Sequence, residues 1–295
     1  MIVKEFENAK AYLDHYEAVL LEHEAQSQRI LYHAAQKLFV SANARCLFGV
    51  VLDDTLQAIL HFCNVEPYPL VIYMEERNKA LIQTACTVLA NHFLENHIGI
   101  GGIVAQNEIC QSFISQYKLK ANISFLEKQG MDIMEIRKVN DIKLADGVCR
   151  TADVSEVKMI TDWMIQFQME SAISEMDYEA ALSKAASLIE EHRMYVFENP
   201  EHKIVSMAAA FRKLVHGIVI SYIYTPEEFR GRGYAAANIY YLSKQFLEEG
   251  YQFCTLFVDK NNLLSGRAYE KVGYTIISES CEYQAVPAES MAAIS

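Results

Sequence analysis

The apolar positions of this chain fall into two rounds of nearly the same order. In residues 5–38, Ala9, Tyr12, Leu13, Tyr16, Val19 and Leu20 recur at helical spacing and a second pattern runs to about Leu38, which predicts two helices. Three short β-rich segments follow, at Cys46–Leu52, 56–62 and Leu70–Tyr73, with Asp53-Asp54 as the turn between the first two. Residues 79–94 read as a helix, 98–104 as an extended glycine-rich stretch, Asn107–Tyr117 as a helix capped by Asn107, and 131–139 as a strand. The polar, turn-like run 140–147 (NDIKLADG) then sets a boundary and gives two domains, 1–140 and 141–295.

After the boundary the order repeats. A strand at Val148–Thr151 precedes a helix that Asp153 caps and that runs through Val157, Ile160, Trp163, Met164 and Phe167. A second helix, 178–191, leads to strands at Met194–Glu198, 204–214 and Gly217–Tyr224. A glycine loop, a helix at 235–249, a strand at 253–258, a helix at Leu263–Val272 and strand pattern to about Ala285 complete the round, and the tail from Pro287 is expected to fray. Both halves therefore read as two helices, three strands, helix, strand, helix, strand, in an α/β chain with the mark of a duplication.

Composition narrows the function. A chain of 295 residues, 52% hydrophobic, suits two domains with sizeable cores. The net charge of −12 argues against a general nucleic-acid or membrane-surface binder and leans toward cationic or amine partners. The seven cysteines lie apart with no metal-ligand spacing, which predicts buried thiols in a reducing compartment. His92, His97 and His192 form no ligand set, so no metal is expected. The charged start MIVKEFENAKAYL is not a signal peptide, and no uncharged run is long enough to cross a bilayer, so the expected location is cytoplasmic.

The chemistry concentrates in residues 225–236, TPEEFRGRGYAA, between an apolar strand and a strong helix. Gly231 and Gly233 let the backbone turn tightly and approach a ligand. The first N–H groups of the new helix lack partners within it and, with Arg230 and Arg232, make a cradle for phosphate or diphosphate. Gly231, Gly233 and Ala236 also fit a dinucleotide-fold G-x-G-x-x-A, though too little chain follows for that fold, and a bland tight turn is the third reading.

A second motif decides among these. After the strand at 253–258 come Asn262, Ser265, Tyr269, Gly273 and Tyr274, spaced as Asn-x-x-Ser-x-x-x-Tyr-x-x-x-Gly-aromatic. With Arg230, Gly233 and Ala235 as Arg/Gln-x-x-Gly-x-Gly/Ala, this resembles the GCN5-related N-acetyltransferase (GNAT) family over about residues 147–285. The resemblance implies two GNAT-like domains, each a mixed, mostly antiparallel sheet flanked by helices, with a splayed strand pair in the C-terminal one. It implies acetyl-CoA as co-substrate, held by backbone at Tyr222, Ile223 and Tyr224, by Arg230, Gly231, Arg232, Gly233, Tyr234 and Ala235 around the diphosphate, and by Asn262 on the pantetheine arm. It further implies direct transfer of acetyl to a small-molecule or peptide amine, with Tyr269 as proton donor to the CoA sulfur. The base is open: Glu170 and Glu175 are candidates beside a solvated-surface reading, and a water chain is another. A non-catalytic acyl-CoA sensor shares the same cradle, and a homodimer is compatible with the resemblance.

The first half lacks the cradle. Met74-Glu75-Glu76-Arg77-Asn78-Lys79 stands where the glycine loop should be, Cys110 stands for Ser265 and Ile114 for Tyr269. This half resembles the degenerate domain of tandem GNAT proteins; an unrelated helical–sheet domain is the alternative.

Overall fold

The computed structural model describes residues 1–37, 46–75, 78–119, 121–171 and 176–288. The expected helix end at Leu38, Glu76 and Glu175, and most of the tail lie outside the described residues. The chain forms two compact units, 1–130 with 278–295, and 131–277.

The first unit opens with a strand, β1 (Ile2–Phe6), which takes the first two residues of the span 5–38 expected to be helical. It is an edge strand whose five residues are exposed or half-buried, so it carries almost no apolar alternation. Two helices follow, α1 (Ala9–Glu22), whose first turn Asn8 caps, and α2 (Glu24–Lys37). Strands β2 (Cys46–Leu52), β3 (Ala58–Val65) and β4 (Leu70–Tyr73) form an antiparallel meander on β1. The turn before β3 is longer than expected: Asp53 accepts from the N–H groups of Thr55 and Gln57, and Leu56 is left-handed at φ 64°. Helix α3 (Lys79–Glu95), strand β5 (Gly102–Ala105), helix α4 (Asn107–Tyr117) and strand β6 (Ile123–Ile136) complete the round. Asn107 is the first helical residue of α4, not its cap; Gln106 holds that position without a side-chain bond to the helix backbone.

The second unit repeats the sequence of elements. Strand β7 (Val148–Thr151) leads to a capping box, with Asp153 and Glu156 satisfying each other's backbone N–H, and then to α5 (Val157–Glu170). Helix α6 (Tyr178–Glu190) and the antiparallel strands β8 (Met194–Glu198), β9 (Ile204–Lys213) and β10 (Gly217–Tyr224) follow. Helix α7 (Tyr234–Glu248), strand β11 (Phe253–Asp259), helix α8 (Leu263–Val272) and strand β12 (Thr275–Pro287) end the round.

Each sheet is mostly antiparallel with one parallel pair, β4 with β5 in the first unit and β10 with β11 in the second. The strand beside each parallel pair comes from the other half of the sequence. Cys281–Gln284 of β12 pair antiparallel with β5, and residues 131–136 of β6 pair antiparallel with β11 over six rungs. The units thus divide at 130/131 and 277/278, where a single boundary at 140/141 is expected. The polar run 140–147 is a connection inside the second unit, tied down by the bond from Asn140 N–H to the Val272 carbonyl (2.8 Å).

Helices cover both faces of each sheet. In the first unit α3 and α4 bury Leu89, Phe93 and Phe113 on one face, and α1 and α2 bury Tyr12, Leu20 and Ile30 on the other. In the second, α7 and α8 close over Ile220 and Leu256, and α5 and α6 over Val196 and Met207. Burying such side chains contributes about 1.5–3 kcal/mol each.

None of the seven cysteines is in a disulfide; five are buried and Cys46 and Cys149 are half-buried. Burial pushes the Cys86 and Cys254 thiols from 9.0 up to about 12. The native chain then keeps protons that the unfolded chain begins to release near pH 9. Stability is expected to be independent of these groups below pH 9 and to fall as pH rises from 9 through 12. Urea midpoints at pH 8, 10 and 11 check this; a constant midpoint contradicts it.

Candidate functional site

The strands β10 and β11 run parallel for only three rungs, Gly217 with Phe253, Ile218 with Cys254 and Val219 with Thr255. Beyond them β11 stays paired with residues 131–136 as far as Asp259. β10 loses register instead: its pairing with β9 shifts after Val219 and again after Ser221, and Tyr222 sits left-handed at φ 52°. A bulge of this kind bends a strand away from its neighbour. The splayed pair expected for this unit is therefore present, opened by the β10 side.

A buried polar chain fixes the end of β10. The Ser206 hydroxyl donates to the Tyr224 carbonyl (3.1 Å), Asn238 Nδ2 donates to Ser206 Oγ (3.4 Å), and Cys149 Sγ donates to Asn238 Oδ1 (3.3 Å). Ser206 and Asn238 are fully buried. Sequence reasoning missed both. The available signal was Asn238, a polar residue inside the apolar stripe Ala237, Ile239 and Leu242 of α7.

From Tyr224 the chain passes Thr225 and Pro226, makes one 3-10 turn at Glu227–Phe229, and reaches Arg230. Gly231 and Gly233 have φ 75° and 82°, so both need the left-handed freedom that glycine has. A Cβ on Gly231 would meet nothing within 4 Å, and one on Gly233 only Ala145 Cβ at 3.9 Å. Conformation, not crowding, selects glycine here, and the turn lies open. Gly233 caps α7 with no side-chain bond, so the first N–H groups of α7 face outward uncapped. Helix α7 begins at Tyr234, one residue before the expected start. Arg230, Gly231, Arg232 and Gly233 are exposed, Tyr234 and Ala235 half-buried, and the Tyr234 ring packs on Phe197 with centroids 6.0 Å apart.

The other expected residues gather around this turn. Tyr222 is buried between the rings of Phe167 and Phe211, and half-buried Ile223 packs on the cluster under α7. The Tyr224 hydroxyl donates to Gln166 Oε1 at 2.7 Å and lies 3.4 Å from Glu170 Oε1. Arg230 lies over the Tyr224 ring (5.6 Å), its Nε donates to the Thr225 carbonyl (2.9 Å), and its Nη2 donates to both Glu170 oxygens (2.7 Å each). The Glu170 bonds hold the Arg230 guanidinium above its usual range. Glu170, the tentative base, thus has both oxygens hydrogen-bonded to an arginine, and an acceptor amine reaches them only if that pair opens.

On the β11 side, Asn262 is exposed and its Oδ1 accepts from the Ser265 N–H at 3.1 Å, capping α8. Tyr269 is buried with Tyr274, Ile220 and Val258, in the cluster that both splayed strands share. Burial pushes its phenol up to about 12, opposed by a hydrogen bond with Ser265.

The corresponding place in the first unit is built differently. Asn78 caps α3, its Oδ1 accepting from the N–H groups of Ala80 (3.0 Å) and Leu81 (3.3 Å), so the amides left open in α7 are used here by the chain itself. Cys110 and Ile114 are buried in the core.

A mixed sheet with helices on both faces, opened at a parallel pair beside an uncapped glycine turn, defines the class: this is the fold of the GNAT acetyltransferases. Residues 157–274 match the family model described as Acetyltransferase (GNAT) family. The whole chain is similar in fold to an acetyltransferase of the GNAT family from Colwellia psychrerythraea, at 12% identity and TM-score 0.56, over 96% of this chain and 99% of that one. It is similar also to a GCN5-related N-acetyltransferase from Sphaerobacter thermophilus, at 12% identity and TM-score 0.56, over 97% of this chain and 96% of that one. A Drosophila protein matches at 11% identity and TM-score 0.58, over 97% of this chain and 99% of that one. Among curated proteins none matches. No described helix is long and apolar enough to cross a membrane.

Proposed function

We propose that this chain is an N-acetyltransferase that moves the acetyl group of acetyl-CoA to a primary amine, with residues 131–277 carrying the site. The observation that carries the reading is the uncapped start of α7 behind two left-handed glycines, at the mouth of the β10–β11 split. The residues present fit the co-substrate: an open turn, unpartnered amides, two exposed arginines and a strand end bent away from its neighbour. Backbone from Gly231 to Ala235, with Arg230 and Arg232, would hold the diphosphate. Backbone at Tyr222, Ile223 and Tyr224 would line the acyl arm, and Asn262 would approach it from α8. When bound, acetyl-CoA supplies an activated thioester.

The remaining roles belong to the chain. Tyr269, with its phenol at about 12, keeps a proton on Oη at neutral pH, the state a donor to a departing sulfur needs. Glu170 can take a proton from an incoming ammonium only once it leaves Arg230. The acidic chain, at −12, suits a cationic small-molecule or peptide amine and a cytoplasmic setting. The first unit is read as a degenerate copy whose cradle amides are taken by Asn78.

The test is release of free thiol from acetyl-CoA with a panel of primary amines, beside calorimetric titration with CoA. Amine-dependent thiol release and one CoA per chain are the expected results. Binding without turnover on any amine would favour a sensor, and two CoA per chain would overturn the degenerate reading of the first unit.

A further inference from the structure

Arg230 already holds an anion. Its Nε is anchored on the Thr225 carbonyl (2.9 Å), its guanidinium rests over the Tyr224 ring, and its Nη2 faces both oxygens of Glu170 at 2.7 Å. Glu170 is the last residue of α5, so a neighbouring helix delivers this carboxylate to the edge of the glycine turn. The two side chains are 44% and 50% exposed. An ion pair that solvent reaches this freely is weak. A diphosphate presents the same oxygen acceptors with more charge and can use the α7 amides as well.

We propose that Glu170 is an internal competitor for the diphosphate site: it occupies Arg230 in the empty chain, and the co-substrate displaces it. The inference rests on the acetyl-CoA reading of the cradle. Coupling of this kind runs both ways. Diphosphate on Arg230 frees the Glu170 carboxylate beside the Tyr224 hydroxyl and Gln166 Oε1, and a second cation drawn to that carboxylate strengthens diphosphate binding. The pair thus orders the site, with the acidic side becoming available only after the cradle is filled. Glu170 acts on the diphosphate through Arg230 and is a positioning residue in this respect.

Calorimetric titration of the full chain with CoA tests it. Glu170→Gln and Glu170→Ala are expected to bind CoA about 2- to 5-fold tighter than the wild type, the scale of an exposed ion pair. Glu228→Gln, which removes the same charge from the exposed turn nearby, is expected to bind as the wild type does. In an Arg230→Gln background the Glu170→Gln gain should vanish. A merely structural role for Glu170 would weaken binding on substitution, never tighten it. Unchanged or weaker binding in both Glu170 variants, or a gain that persists without Arg230, overturns the proposal. A wild-type chain that binds no CoA overturns the cradle reading and the competitor together, whereas wild-type binding with no Glu170 effect overturns the competitor alone.

Discussion

Tyr269→Phe is expected to lower acetyl transfer by about 10²- to 10⁴-fold, the usual worth of a positioned proton donor. The affinity for CoA should hold. The ring is buried against Tyr274 with centroids 6.2 Å apart, and Phe preserves that packing. Only the hydroxyl goes, and with it the proton that burial secures by raising the phenol to about 12. Because the wild-type group keeps its proton up to that pH, its activity should show no alkaline loss from Tyr269 below about pH 10. Steady-state rates and CoA titration of the two proteins decide the matter. An unaffected rate would assign the donor's role to another group.

Gly233→Val is expected to remove CoA binding while leaving the fold in place. At φ 82° a β-branched residue is strongly disfavoured, at about 1–3 kcal/mol or more. That is worth roughly 5- to 150-fold in an equilibrium, before any loss of amide geometry is added. The turn relieves the strain by leaving the left-handed conformation, and the N–H groups of Tyr234 and Ala235 then point elsewhere. Space is not the issue, since a Cβ meets only Ala145 at 3.9 Å. Circular dichroism should therefore match the wild type while titration with CoA gives no heat. Full affinity in this variant would remove the glycine turn from the site.

Much of this was legible in the chain. The strand Gly217–Tyr224 and the helix Leu263–Val272 fall where periodicity puts them, because each buries an apolar face between clear stops. The glycine turn was legible for a local reason: Gly231 and Gly233 answer a backbone demand that few other residues meet. Three features were not. β1 is an exposed edge strand with no apolar rhythm. The stretch up to about Ala285 reads as strand and lies within β12, but nothing in its composition says which sheet it joins. The Glu170–Arg230 pair links residues sixty positions apart, and a lone Glu at a helix end looks like any solvated carboxylate.

The pairing of residues 131–136 with β11, and of Cys281–Gln284 with β5, bears on how the chain can be taken apart. A gene fragment ending at residue 140 would lack the partner of β5, and one starting at 141 would leave β11 with an unprotected side. Neither piece keeps every strand of its unit, so 1–140 or 141–295 expressed alone is expected to fold poorly. Any truncation meant to isolate the second unit should begin before Met131, and release of its counterpart requires the C-terminal segment as well.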